Sequence, residues 1–586
     1  MRLHARLAIG LASWALVLVL LGWAPAAVAL TQPMPPLPQD AQESPPPPAT
    51  QAQAAPQDPA YQGLFPAAQS KGDLRVELHP DARVVNKVVV AGFGVPFPPG
   101  FVRDPRMIAL IDNTGKEMPI SVRVLATWHA PVPHAGSIRA AFIQYRDLMS
   151  STVPRAYTVR WGAPRQANVS REWSAREDWL PVEDGTYPAA VVLDPPVYAV
   201  LPGEWLGKCL LKGRMRPAGQ DPKWEFYDNA LRNFFPAAIN KAHANVGPKF
   251  LSHYLTDYEP WLFDRATTFF LTYFRLGGLQ ALREAHRAAQ YYAYQIQEDG
   301  KFALLGDKLA RDPKFGYQEC LALDHWLTGD DRVMRASRRV LNLLDAWDPV
   351  LTPARTFWTE RHLAFNLLNA TTAYEMTGDP ALLARARFLF EAGYNVQLNP
   401  EEGAPRDGCM VHSTQQHGER KRPGWICSPW MSAQLVDAML RYYIVSADPR
   451  VAKSVEMLAD FMVKHGTYRK QYSKNVDEYQ VPYYLMSSDP PTTGLENYFF
   501  NDLEHAIECV KIIAVAQYFV RKAGGGNQDY DYLTQELIRS GAWCFERWRV
   551  KNAIKSDRPE YPLVPMRKYN WWFRTTVDLD WLLNPS

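Results

Sequence analysis

The side chains best suited to chemistry gather in one long connection, 398–430, which carries His412, His417, Glu419, Arg420, Arg422, Trp425 and Trp430. Within 406–422 four cations, Arg406, Arg420, Lys421 and Arg422, stand against only Asp407 and Glu419. Such an excess points to an anionic ligand group such as a carboxylate, which a guanidinium grips through two parallel hydrogen bonds. The plainer alternative is a solvated loop whose charges pair with neighbouring acids. Trp425 and Trp430 could stack on the C–H faces of a sugar or simply anchor the loop. Four further groups fall where helices are expected to begin: Tyr258, Glu259, Asp264 and Arg265; Tyr317 and Glu319; Glu360, Arg361 and His362; and Glu496, Asn497, Tyr498, Asn501, Asp502 and His505. A helix dipole alone favours acids at such places. The recurrence of Tyr, Glu, His and Arg therefore weighs more than any single member.

Two reaction schemes suit these types. In β-elimination on a uronic-acid-containing glycan, Arg420 or Arg361 neutralises the sugar carboxylate, and His417, His412 or Tyr258 moves the proton. In glycoside hydrolysis two carboxyls face each other across the ring, and Glu259, Glu319, Glu360 and Asp502 are the candidates. In either scheme Trp425, Trp430, Tyr317, Asn497, Tyr498 and His505 are placed as substrate-binding residues. A third reading, without catalysis, is a glycan-binding or envelope scaffold protein. The cationic, His- and Tyr-bearing connections favour elimination. No phosphate-cradling, dinucleotide, H-E-x-x-H or G-x-S-x-G motif competes, and no spacing calls for a metal or another cofactor.

The elements that must position these groups change character along the chain. Residues 72–165 read as short strands separated by turns, with strands at 83–90, 107–111, 120–126, 138–145 and 156–161 and a Gly/Pro-rich turn at 92–100. Residues 166–220 form a connector with a possible strand at 189–193. From 221 to 586 helical periodicity takes over, punctuated by Leu-Thr-Gly-Asp-Asp at 327–331, Met-Thr-Gly-Asp-Pro at 376–380 and Val-Ser-Ala-Asp-Pro at 445–449. Gly329 and Gly378 suit the left-handed end of one helix. Asp331, Asp379 and Asp448 suit the cap of the next, and Pro380 and Pro449 its first position. Gly277-Gly278 and 524–526 are weaker marks of the same kind. Five or six antiparallel hairpins, with short turns on one side and long connections on the other, fit an α/α toroid better than a regular solenoid. The expected fold is therefore multidomain α+β, a small N-terminal all-β barrel or sandwich followed by a large α/α toroid, with the long connections gathered at one mouth.

The β segment, with Val88-Val89-Val90, then Gly94-Val95-Pro96-Phe97-Pro98-Pro99-Gly100, Leu110-Ile111-Asp112 and Pro119-Ile120, resembles the first domain of exo-rhamnogalacturonan lyase-like proteins. The resemblance spans about 95 residues and implies a barrel, a central β-sandwich and an α/α toroid. Because 166–220 is too short for that sandwich, no catalytic residue is carried over.

At the N-terminus Arg2 and Arg6 precede an uncharged apolar run, 7–21, and Ala27-Val28-Ala29. This is a signal-peptide layout with cleavage expected after Ala29; the competing reading is an uncleaved anchor. Either places the protein in the periplasm or outside the cell. Residues 30–71, rich in Pro, Gln and Ala, are expected to be an extended tether. The net charge of +3 gives no global electrostatic reason to bind nucleic acid or an anionic membrane, which leaves a polysaccharide or oligosaccharide as the expected partner. The six cysteines contain no C-x-x-C; Cys409 and Cys427 could staple one loop, or remain buried thiols.

Overall fold

Short runs rich in apolar and β-branched residues build two antiparallel sheets in the first part of the chain. A computed structural model describes residues 56–585 apart from 170, 240–254, 256, 305–308, 311, 346, 348–358, 414–423, 475–476, 487–498 and 556–565. The proposed leader lies outside these residues. The five-stranded sheet runs in the order β10 (Val197–Val200), β1 (Gly72–Pro80), β7 (Arg155–Trp161), β3 (Ile108–Ile111) and β4 (Glu117–Met118). The three-stranded sheet runs β2 (Lys87–Pro96), β6 (Ile138–Met149) and β5 (Ile120–Thr127). Contacts of β2 with β10 and of β3 with β5 join the two sheets.

The structure corrects three expectations. The stretch 92–100 is mostly strand rather than turn, because Phe93 and Val95 are needed in the core and β2 pairs with β6 along its whole length. The sheet also extends beyond 165, since Val197–Val200 pairs with Glu77–Pro80. The end of the expected tether is ordered too. In α1 (Pro59–Gln62) Tyr61 is fully buried, and its hydroxyl donates to the Ile444 carbonyl at 2.7 Å.

The rest is helical, so the chain is α+β. Six helices carry nearly half of the buried polar residues among those described: α4 (Arg265–Leu276), α6 (Glu319–Thr328), α8 (Glu360–Thr377), α10 (Pro429–Ser446), α13 (Ala506–Lys522) and α15 (Arg567–Arg574). Each touches the next, and α15 in turn packs on α4. Outside them lie α5 (Leu279–Gln295), α7 (Arg332–Asp345), α9 (Pro380–Leu398), α11 (Arg450–Lys464), α14 (Gln528–Lys555) and α3 (Glu225–Ile239). The difference in position shows in composition. In α7 one stripe, Val333, Ala336, Val340, Leu343 and Leu344, is buried, whereas α8 is buried nearly all round.

The turns between partners follow their sequence marks. Gly329 and Gly378 take left-handed φ values of 73° and 71°, and Asp379 and Asp448 accept from the N–H groups of Ala381 and Arg450. At the first turn Asp330, not Asp331, accepts the Arg332 N–H, while Asp331 pairs with Arg123 of β5.

These turns abut the sheets. Arg139 of β6 lies between the rings of Trp128 and Trp326, at 4.1 and 4.4 Å, and pairs with Glu375 of α8 at 2.8 Å. Burial lowers this guanidinium to about 10, with Glu375 opposing the shift. A helix surface on their outer side explains why β2 and β6 are buried on both faces. A Cβ at Gly94 would lie 2.0 Å from the Trp326 carbonyl oxygen. Gly94→Ala is therefore expected to destabilise the chain by roughly 1–3 kcal/mol through overpacking. Gly526→Ala, which meets nothing within 4 Å, leaves the thermal midpoint unchanged in the same scan.

Between the inner helices runs a buried ion network. Glu319 receives Lys212 at 3.0 Å, Arg441 at 2.9 Å and Arg574; Asp437 receives Lys212 at 2.5 Å and Lys511 at 3.1 Å; Lys511 also bonds Asp578 at 2.6 Å. Glu319→Gln would leave three buried cations short of charge. The expected loss is about 3–5 kcal/mol, read from denaturant midpoints, and salt does not restore it.

Candidate functional site

The first residues of the inner helices converge through their rings. Phe263, before α4, contacts Phe365, Trp430 and Trp571; Tyr317, before α6, contacts Phe365; and His505, before α13, stacks on Trp430 at 4.7 Å and meets Trp571 at 5.2 Å. Residues more than 300 positions apart thus share one knot. Trp430 and His505 are buried in it, so Trp430 serves as floor rather than as an open stacking face, whereas Trp571 is partly exposed. Phe263 and Asp264 hold successive positive φ values of 68° and 64°, a backbone form costly for a bulky side chain and concentrated at functional sites.

Over this floor stand two partly exposed cations, Arg361 and Arg567, with a third, Lys314, within their electrostatic reach. Arg361 lies 6.0 Å from the Trp430 ring, and Arg567 lies 4.7 Å from the Trp571 ring and 3.4 Å from Glu259. Lys314 feels both guanidinium groups: burial lowers its ammonium first, Arg361 and Arg567 lower it further, and Asp312 at 2.8 Å opposes them. Among the described residues, Asp312 and Glu259 stand as two carboxylates against these three cations, an excess that favours an incoming anion.

The acids of the site are pushed in opposite directions. Asp502 is buried and is raised from 3.8 to about 7, because burial outweighs hydrogen bonds from the Tyr468 hydroxyl (2.6 Å) and the Tyr484 N–H (3.2 Å). Asp264 is raised by burial to about 6, opposed by Arg574 and by bonds from Thr267. For Asp312, burial is overcome by His362 at 2.9 Å and by Lys314, which hold its carboxyl well below the ordinary value. His505 is kept neutral by burial, then by Lys568 and Arg567. Separated acid strengths of this kind are what general acid–base chemistry requires.

The expected site residues divide as follows. Arg361, Trp430, Tyr317 and His505 meet at the knot; Glu259 joins through Arg567, and Asp502 through Tyr484, whose ring meets Trp430 and His505. Glu360 and His412 pair at 3.1 Å. Tyr258 packs on Phe302 and Phe315, with its hydroxyl on the Phe302 carbonyl. Trp425 lies in a short hairpin opposite Ser413. Glu319 sits in the ion network, where burial is outweighed by Lys212, Arg574 and Arg441, so its carboxylate stays ionised and its oxygens are committed to those cations. His417, Arg420, Asn497 and Tyr498 lie outside the described residues.

Sequence reasoning missed Lys314, Asp312, Tyr468, Tyr484, Arg567 and Trp571. Arg567 and Trp571 open the last inner helix, and following the hairpin series to the C-terminus would have found them. Tyr468 stands on a hairpin inside a long connection and carries no periodic signal.

No protein-family model matches the chain, and no curated protein matches it. Among solved structures, a family 76 glycoside hydrolase from a bovine Bacteroides thetaiotaomicron strain aligns over 87% of this chain and 97% of its own length, with a TM-score of 0.41 and 8% identity. At that level the likeness assigns neither family nor activity. Among the described residues no helix is long and apolar enough to cross a membrane.

The raised Asp502 has a thermodynamic signature. The folded chain keeps its proton up to about pH 7, whereas the unfolded carboxyl loses it near 3.8. The native state therefore binds more protons across that window, and its stability falls as pH rises through it. Asp502→Asn should flatten this slope in urea titrations run between pH 4.5 and 7.5; an unchanged slope would mean that Asp502 ionises normally.

Proposed function

We propose that the chain is an exported carbohydrate-active enzyme whose inner helices form an α/α toroid, and that it hydrolyses an acidic glycan at the basin where those helices begin. The observation that carries this reading is the buried Asp502 carboxyl, raised to about 7 and bonded to Tyr468. It stays protonatable at neutral pH beside the Trp430–His505 floor. In this scheme Asp502 supplies the proton for the leaving oxygen, directly or through the Tyr468 hydroxyl. Glu259, partly exposed beside Arg567, is the second carboxyl. Lys314, Arg361 and Arg567 receive the acid group of the sugar, and the partly exposed face of Trp571 offers a stacking surface.

A second reading, β-elimination, is favoured by the same cations, which would neutralise a uronate carboxylate. Against it stands Tyr468: burial and the adjacent Asp502 push its hydroxyl far above the ordinary value, away from the tyrosinate that elimination would use.

Purified enzyme incubated with uronic-acid-containing oligosaccharides tests the choice. Hydrolysis yields new reducing ends without near-ultraviolet absorbance; an unsaturated product would replace the hydrolase reading with elimination. Asp502→Asn is expected to lower kcat by roughly 10²–10⁴-fold, the usual worth of a general acid. Arg361→Ala is expected chiefly to raise KM for acidic over neutral substrates. Wild-type activity in Asp502→Asn would sink the assignment.

A further inference from the structure

Beside the knot, the long connection 398–430 folds back on the start of α8 and brings together a set of donors with no part in the hydrolytic scheme. His412 stands opposite Ile426 in the short hairpin. Cys427 is locked by two backbone hydrogen bonds to Met486, at 2.8 and 2.9 Å. The next N–H, of Ser428, donates to Glu360 Oε1 at 2.7 Å, which leaves Oε2 turned to His412 Nδ1 at 3.1 Å. Cys409 joins Cys427 in a disulfide across 18 residues. A carboxylate oxygen of Glu360 and the two sulfurs lie within 4.8 Å of one another, and Glu360, Cys409, His412 and Cys427 are all buried.

We propose that these four residues form a redox-gated site for a divalent cation of the zinc class, closed by the Cys409–Cys427 disulfide and opened by its reduction. Two thiolates, one imidazole and one carboxylate are the donor types that zinc takes in tetrahedral sites. Bond lengths of about 2.0–2.3 Å place such donors about 3.3–3.8 Å apart; the Glu360 oxygen and the two sulfurs lie within 4.8 Å of one another, and His412, 3.1 Å from Glu360 Oε2, must turn toward the sulfurs to complete the set. The reductant is an external dithiol. It passes two electrons and two protons to the disulfide, giving two thiols, and is itself oxidised to a disulfide. On cation binding both thiols release their protons to water, while Glu360 binds as carboxylate and His412 as neutral imidazole. The cation then staples the same connection that the disulfide staples under oxidising conditions. This inference uses none of the groups assigned to hydrolysis and stands or falls apart from that reading.

The test uses the full chain, oxidised and phosphine-reduced, loaded with zinc without oxygen, freed of excess ion and assayed for bound metal and free thiol. The expected result is about one zinc ion per reduced chain and none in the oxidised chain, with sulfur-to-metal charge-transfer absorption when cobalt(II) replaces zinc. Glu360→Gln should weaken binding by more than the roughly 10–100-fold typical of losing an outer-sphere partner. Cys209→Ser, which alters a free thiol elsewhere, should bind as the wild type does. The oxidised wild type serves as a folded reference that requires no substitution. Equal zinc in the oxidised and reduced chains, equal binding by a reduced Cys409→Ser/Cys427→Ser variant, or no zinc in the reduced wild type would each overturn the site.

Discussion

Seven charged side chains, Lys212, Glu319, Asp437, Arg441, Lys511, Arg574 and Asp578, are buried together where the inner helices meet. Their bonds span segments from 212 to 578. Taking such groups out of water costs several kcal/mol per ion, and mutual attraction offsets that only when every partner is in place. The network is therefore a condition on assembly: α6, α10, α13 and α15 must arrive in one register, or charge is stranded. Glu319 is the first residue of α6 and Arg574 the last of α15, so satisfying this pair aligns opposite ends of two helices. The ring knot of Phe263, Trp430, His505 and Trp571 sits on that alignment, and the cations above it follow.

The same low-polarity interior accounts for the divergent acids. Asp502 is buried, and a tyrosine hydroxyl, one N–H and the smaller pull of Lys470 do not outweigh that burial, so its proton is held. Asp312 is buried beside a histidine and a lysine, and its proton is lost. Residue type alone does not distinguish them; what differs is the closeness of basic partners, with Lys314 at 2.8 Å and His362 at 2.9 Å from Asp312, whereas Lys470 is the last and smallest influence on Asp502.

That distinction also marks how far sequence alone can be read. Local chemistry was legible: Gly329, Gly378, Asp379 and Asp448 end and start helices as their types require, and the strands near 108–111, 120–127 and 155–161 lie where short apolar and β-branched runs are set off by turns. The pairing of 197–200 with 77–80 was not, because four residues in a Pro-rich stretch carry no period. Burial of Phe93 and Val95 overrode the turn signal of their glycines and prolines. At the site, Arg361, Trp430 and His505 could be named from their places at helix starts. Lys314 and Tyr468 could not, since they become functional candidates only through neighbours such as Arg361 and Asp502.

The account turns on one basin at the starts of the inner helices receiving an acidic sugar. A crystal structure of the Asp502→Asn variant with a uronic-acid-containing oligosaccharide tests this most directly. The account predicts density over Trp571, with the sugar carboxylate among Lys314, Arg361 and Arg567 and the scissile oxygen toward position 502. An oligosaccharide bound on the β-sheets, or at the turns near Gly329 and Gly378, with those three cations untouched, would contradict it.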